Sequence, residues 1–525
     1  MKPFAAPLDD ILFILDHVAR ATDLPGYDPD LTREIAGHFA TYAEEAIAPL
    51  DEPGDRQGCR LEDGRVRMPD GFPELYRDYA EQGWQGLTVP EEYGGQGLDA
   101  TLLAVTSEIF TGANHSLQMV TGLVPGAVRT LLAFGTEAQK EAYVPPLASG
   151  EALATMCLTE PGAGSDLSRV RCKAVQDAEG WRITGEKIFI SGGDQDMSAR
   201  ILHLVLARTS DDGTRGLSLF LCPCTRADGS RNAISVTRIE EKTGLHASPT
   251  CQLVFDDAEA ELIGMEGAGL KAMFTMMNHA RADVALQGVA HAARATDIAR
   301  AYAAERIQGR GPDGAPVTLD AHADVARMLD EADALALGGR AIAHLATVTM
   351  ERGEDPDLVE ILTPIAKVYC TEAGIRAADL GIQVLGGYGY LSEYRVEQTW
   401  RDARITAIYE GANGIHSRSL VSRLLPGAPG DALERFLAGE NCAESLVLWR
   451  TARQDLTARE DPSPAAHDFM ALSAEVLLEA LWNRILGAAD SHPDPTRIRR
   501  LSEKAINRGR LRAVFHAGAI AQSLS

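Results

Sequence analysis

The chain has 525 residues, 45% hydrophobic and 24% charged, which is enough for sizeable cores and roughly three or four domains at about 150 residues each. Lys plus Arg number 50 against 75 Asp plus Glu; a net charge of −25 argues against nucleic acid or an anionic membrane as partner. Eight scattered cysteines form no disulfide framework, and no apolar run approaches the roughly 18 residues of a membrane helix, so a cytoplasmic protein is expected. The five-residue apolar run ahead of Asp16 is too short for a signal peptide.

Leu8, Ile11, Leu12, Leu15 and Val18 recur on one helical face, and 31–50 continues the helical period. Pro53-Gly54 and the breakers of Pro90–Gly97 punctuate an N-terminal helical domain over 1–155. The texture then changes. Runs at 181–191, 201–207, 216–222 and 251–257 are short, rich in β-branched and large apolar residues, and separated by Gly, Asp and Ser. They predict an antiparallel β domain over 156–265. From Gly269 to Gln308 there is no proline and one interior glycine, so one or two long helices open a C-terminal helical bundle over 266–425. Further helices fit 321–350, 357–381, 393–401 and 413–424. Residues 424–431, Leu-Leu-Pro-Gly-Ala-Pro-Gly-Asp, read as a linker to a helical extension over 432–525. The fold class is α+β.

Gly309-Arg-Gly311-Pro-Asp-Gly314 is a literal GxGxxG, but it follows a helix and places Pro312 where a helix should start, so it fails as a dinucleotide loop. Looser matches at Gly95 and Gly267 lack the βαβ frame as well. There is no Walker A or HExxH sequence, and the histidines show no ligand spacing, so no metal is expected. More informative is Met156-Cys-Leu-Thr-Glu-Pro-Gly-Ala-Gly-Ser-Asp166, placed between a helix and the first strand. Its glycines let backbone N–H groups approach a ligand, and the Thr159 and Ser165 hydroxyls can donate to a phosphate or a ring carbonyl. A tight loop joining two domains explains the same residues.

That stretch, with Gly185-Glu-Lys-Ile-Phe-Ile-Ser191, Ile382-Gln-Val-Leu-Gly-Gly-Tyr-Gly389 and Trp400-Arg-Asp-Ala-Arg-Ile-Thr-Ala-Ile-Tyr-Glu-Gly411, resembles the signatures of the acyl-CoA dehydrogenase family. The four occur in the family's order across residues 80 to 423. The resemblance implies FAD held by the β domain and the C-terminal helices, and oxidation of an acyl-CoA thioester to the trans-2-enoyl-CoA. It implies that Cys157, Leu158 and Thr159 touch the flavin ring. Gly164 and Ser165 would lie near the pyrophosphates, with Ser165 also on the substrate. Phe189 and Ser191, where the family often has Trp and Thr, would pack on and hydrogen-bond to the isoalloxazine. Arg306, Gln308, Gln383, Gly386 and Gly387 match positions that reach the FAD of a neighbouring subunit, which implies a homodimer or a dimer of dimers. An electron-transferring flavoprotein is the implied acceptor.

Oxidising a Cα–Cβ bond beside a thioester takes a base for the α proton and an acceptor for the β hydride. A carboxylate in an apolar cleft suits the first task, because desolvation raises its basicity. Glu410 matches the family's base, and its backbone N–H is the implied donor to the thioester oxygen. Tyr409, Gly411, Asn278 and Arg281 are implied substrate contacts; Ala412 and Asn413 are implied cofactor contacts. Three positions depart from the family: Ala412 stands where many members carry Thr, Gly414 where short-chain enzymes carry Gln, and Asn278 where many carry Asp. The first two imply a missing hydrogen bond to FAD, while Arg281 is kept and is implied to hold the CoA arm.

Leu8–Asp16, Met276–Arg281, Val325–Leu329, Gly338–Arg340 and the extension resemble the larger subgroup that includes the 3-(methylthio)propionyl-CoA dehydrogenases. Arg497–Arg512 carries seven basic residues and one acid, and reads either as a solvated helix face or as a subunit contact. Two alternatives share the same resemblance: an acyl-CoA oxidase passing electrons to O2, and an idle homologue binding nucleic acid through that basic stretch.

Overall fold

Residues 3–524 are described by a computed structural model. The helices are α1 (Leu8–Phe13), α2 (Pro29–Tyr42), α3 (Asp51–Gln57), α4 (Phe72–Glu81), α5 (Ala100–Thr121), α6 (Val124–Phe134), α7 (Glu137–Ala148), α8 (Gly269–Glu305), α9 (Ala323–Arg352), α10 (Pro356–Leu385), α11 (Val396–Arg404), α12 (Asn413–Ser419), α13 (Ala428–Ala438), α14 (Ala443–Thr457), α15 (Ala466–Gly487) and α16 (Pro495–Ser523). The strands are β1 (Arg60–Glu62), β2 (Arg65–Arg67), β3 (Ala152–Cys157), β4 (Lys173–Gln176), β5 (Trp181–Ser191), β6 (Arg200–Arg208), β7 (Leu217–Pro223), β8 (Ile234–Ile239), β9 (Thr250–Ile263), β10 (Ile307–Arg310) and β11 (Pro316–Thr318). Among the described residues no single helix is long and apolar enough to cross a membrane.

The chain divides into two compact units, neither continuous in sequence. One holds residues 45–99 and 114–280; the other holds 1–44, 100–113 and 281–525. Of the four boundaries, one falls inside α5, where Asn114 leaves helical geometry (φ −160°, ψ 90°), and one inside α8.

In the first unit seven strands form one sheet in the order β3-β6-β4-β5-β9-β7, with β8 on β9. β7 also pairs with β6, so the pairing closes on itself. β3 runs parallel to β6, so the sheet is mixed. It also means that Met156–Asp166 leaves a strand rather than a helix. Alternating residues of β5, β6, β7 and β9, among them Ile183, Val205, Phe220 and Phe255, fill its core.

The second unit is helical. α8, α9 and α10 pack with the extension's α15 around a core that includes Val289, Leu337, Ile365, Trp449 and Leu477. The expected linker is instead a tight turn leading straight into α13, whose first turn contains Pro429; a proline costs nothing there, because its missing N–H would have no helical partner. The GxGxxG of 309–314 is the turn of the β10–β11 hairpin, closed by Gly311 N–H to Ala315 O at 2.8 Å. Much of the basic stretch of α16 is half-exposed and paired with acids of the same chain. Arg497 bonds Asp10 and Asp333, Arg500 and Lys504 hold Asp330, Arg510 holds Glu479 and Arg512 holds Glu475.

Candidate active site

After α11 a single 3-10 turn, Ile405–Ala407, delivers Ile408, Tyr409 and Glu410 to the start of α12. Glu410 and Gly411 are both left-handed, at φ +54° and +92°. That conformation is costly for a glutamate and persists only where its surroundings enforce it. Gly411 is required, since a Cβ there would lie 2.8 Å from the His416 ring. The reversal is pinned on three sides. His416 Nε2 donates to Glu410 O at 3.0 Å, Arg281 Nε donates to the same oxygen at 3.3 Å, and Lys367 Nζ donates to Gly411 O at 2.9 Å. Lys367 also donates to Asn413 Oδ1 at 2.8 Å, and the Asn413 amide bonds Thr371 and Glu372. Asn413 is therefore turned toward α10. Ala412 is the N-cap of α12 and supplies no side-chain cap.

The Glu410 carboxyl is set apart from this anchoring. Its Oε2 is buried and has no hydrogen-bond partner among the described residues. The Glu410 N–H likewise bonds no described residue. Burial pushes the carboxyl up to about 7; Arg281 and Lys367 pull it down, and Asp283 pushes it up. Lys367 is fully buried, and burial pushes it down to about 7, partly opposed by the Glu410 charge. Desolvation holds His416 at about 4, so its ring is neutral.

In the same unit Arg306, Gln308, Gly386 and Gly387 line one open groove of about 560 Å3, with Tyr302 and Tyr388. The Arg306 guanidinium lies over the Tyr388 ring at 5.5 Å. Gly386 is left-handed (φ +62°), and nothing stands within 4 Å of a Cβ built on it or on Gly387. Gln383 is exposed on α10 and does not line the groove.

In the sheet unit the motif after β3 is locked to β5. Lys187 Nζ donates to Glu160 Oε1 at 2.8 Å and to Leu158 O at 3.0 Å, and Ile188 N–H donates to Thr159 O at 2.9 Å. Glu160 also accepts from the Arg171 and Cys172 N–H groups, at 2.7 and 3.0 Å. The β5–β9 register slips between Lys187 and Ile190, a bulge that leaves Phe189 left-handed (φ +59°) and 61% exposed. Thr159 and Ser191 are half-buried; Gly164 and Ser165 are exposed on the loop. The Cys157 side chain faces the core, and the residue is fully buried. Asn278 is an exposed residue of α8.

Sequence reasoning passed over Lys187, Glu160, Lys367, Asp283, Gln287 and His416. Lys367 carried a signal: it is a lone cation inside the apolar helical run Pro364-Ile-Ala-Lys-Val-Tyr, where charge is rare unless it is paired. Lys187 and Glu160 sat inside motifs already noted, but only the fold pairs them.

The class of protein is shown by family models. The acyl-CoA dehydrogenase N-terminal, middle and C-terminal domain models match residues 30–151, 155–258 and 267–425. The chain belongs to the acyl-CoA dehydrogenase family. It is 41% identical over 459 residues to the 3-methylmercaptopropionyl-CoA dehydrogenase of Ruegeria pomeroyi, covering 82% of this chain and 78% of that protein. It is 34% identical to the broad-specificity linear acyl-CoA dehydrogenase FadE5 of Mycobacterium tuberculosis, covering 77% and 72%. Among solved structures, butyryl-CoA dehydrogenase of Megasphaera elsdenii matches with a TM-score of 0.66 at 26% identity, over 75% of this chain and 97% of that one. An acyl-CoA dehydrogenase of Bacillus anthracis complexed with FAD shares the fold, with a TM-score of 0.79 at 22% identity, over 98% of this chain and 92% of that one.

Proposed function

We propose that the chain oxidises the Cα–Cβ bond of an acyl-CoA thioester to the trans-2-enoyl-CoA with FAD as cofactor, and that 3-(methylthio)propionyl-CoA is among its substrates. The observation that carries the reading is the buried, unpartnered Oε2 of Glu410. A base must be desolvated and free of internal partners at the atom that takes the proton, and this carboxyl meets both conditions.

The residues present fit a flavin nucleotide. Phe189 offers an exposed aromatic face, Gly164-Ser165 offers exposed backbone on the loop, and the groove with Arg306 and the bare Gly386-Gly387 backbone suits a pyrophosphate. Bound FAD supplies the hydride acceptor. Glu410 takes the α proton at Oε2. The Glu410 N–H, without an internal partner, is free to donate to the thioester oxygen as charge develops there. Arg281 and Lys367 hold the reversal that presents both groups. The substrate proposal is supported by the 41% identical Ruegeria enzyme. Dimerisation and an electron-transferring flavoprotein as acceptor belong to the same proposal.

The test is anaerobic titration of the purified yellow protein with 3-(methylthio)propionyl-, butyryl-, octanoyl-, isobutyryl- and phenylpropionyl-CoA, following flavin absorbance near 450 nm. Bleaching by 3-(methylthio)propionyl-CoA at stoichiometric concentration is the expected result. A flavin that stays oxidised with the whole panel contradicts the reading.

A further inference from the structure

Asp283 takes no part in the chemistry derived above, yet hydrogen bonds tie it to the residue that precedes the base. It lies on α8, one turn before Gln287, and three elements meet at these two residues. The Tyr409 hydroxyl, from the residue preceding the base, donates to Gln287 Oε1. That bond fixes the orientation of the amide, whose Nε2 then donates to Asp283 Oδ2 at 2.9 Å. The Ser107 hydroxyl of α5 donates to Asp283 Oδ1. An amide N–H can only donate, so the bonds run in one sense, from Tyr409 through Gln287 into Asp283, with Ser107 closing the other oxygen.

We propose that Asp283 is a positioning residue for the reaction: through Gln287 it anchors Tyr409 beside the base, and it sets a fixed negative charge against the Glu410 carboxyl that opposes Arg281 and Lys367. The proposal rests on Glu410 being the base. The groups that bear on the carboxyl are Arg281 and Asp283 from α8, Lys367 from α10 and the neutral His416 of α12, while Asp402 of α11 acts on Tyr409. Of the charges acting on Glu410, Asp283 is the one that raises its proton affinity. A negative neighbour makes a carboxylate a stronger base, and a base near the working pH is the more effective one.

The experiment is the pH dependence, from 5.5 to 9, of anaerobic flavin bleaching by the best acyl-CoA of the panel, for the holoenzyme, Asp283→Asn and Ser107→Ala. With Asp283→Asn the acid limb moves to lower pH by roughly one unit, and the alkaline plateau falls roughly threefold as the base weakens. Ser107→Ala breaks the same network but keeps the charge, and leaves the limb in place. An unmoved limb in Asp283→Asn, or an equal movement in Ser107→Ala, overturns the proposal. Should Asp283→Asn not fold, Asp283→Ser removes the same charge and is read in the same way. A wild type that bleaches with no thioester overturns the dehydrogenase reading and this inference with it; an active wild type with an unmoved limb overturns this inference alone.

Discussion

At the scale of single residues, the proposed base Glu410 is set by opposing pulls on one carboxyl. Burial favours its proton, while Arg281 and Lys367 favour its charge. Because the carboxyl sits near 7 rather than in the ordinary glutamate range, turnover should fall about tenfold per pH unit below 7, as the proton occupies the base. A rate that holds level down to pH 5 contradicts this. Lys367→Met removes one of the downward pulls, so the acid limb should move above 7. It also releases Gly411 O and Asn413, and the rate at pH 9 should drop more than about tenfold from lost orientation. Glu410 stood out as a candidate in the chain because its neighbours in sequence, Tyr409 and Gly411, belong to one motif. Lys367 and Asp283 could not, because each sits in an unrelated helix and acquires its meaning only when α8 and α10 flank the reversal.

At the scale of elements, β5 and its bulge carry the exposed Phe189, and a buried ion pair holds the neighbouring loop to that strand. Lys187 is fully buried and Glu160 nearly so. Removing one partner strands the other charge, and Lys187→Met should cost about 3–5 kcal/mol in urea unfolding. The double variant Glu160→Gln/Lys187→Met should cost clearly less than the two singles summed, since neither charge is then left alone. Additive losses would mean the pair is not coupled. At α12 the uncapped start invites a gain: Ala412→Ser should add about 1 kcal/mol by supplying the missing N-cap acceptor. The long strands β5, β6, β7 and β9 were legible because their apolar alternation runs for several residues. β3 was not, since Ala152-Leu-Ala-Thr-Met-Cys is poor in β-branched residues and owes its strand to pairing with β6. The 424–431 stretch misled for a related reason: proline and glycine mark helix starts as readily as loops.

At the scale of the whole molecule, the helical unit is clasped by buried charge that joins its sequence extremes. Arg497 of α16 bonds Asp10 of α1 and Asp333 of α9, Arg340 reaches Asp10 at 3.5 Å, and Arg340 and His344 hold Glu108. Burial opposes ionisation of Asp10, but hydrogen bonds from Arg497 and His492 outweigh it and hold the carboxyl well below its usual range. Burial likewise opposes Glu108, and Arg340 outweighs it. Both carboxyls are depressed in the fold, so the stability they supply is complete above roughly pH 4.5 and is lost as pH falls below it. Melting temperature should therefore drop steeply between pH 4.5 and 3, and Arg497→Met should lower it at pH 7 while flattening that slope. An acid slope unchanged in Arg497→Met would contradict the clasp. The helical character of the extension was plain in its periodicity, but not its attachment, because the acids that receive α16 come from α1, α9 and α15. The measurement that bears most directly on the central claim is single-turnover flavin bleaching by Glu410→Gln, which keeps the shape of the side chain and removes its basicity. The variant should remain yellow and bleach more than about a hundredfold more slowly than the wild type with the same acyl-CoA; bleaching at the wild-type rate would contradict Glu410 as the base.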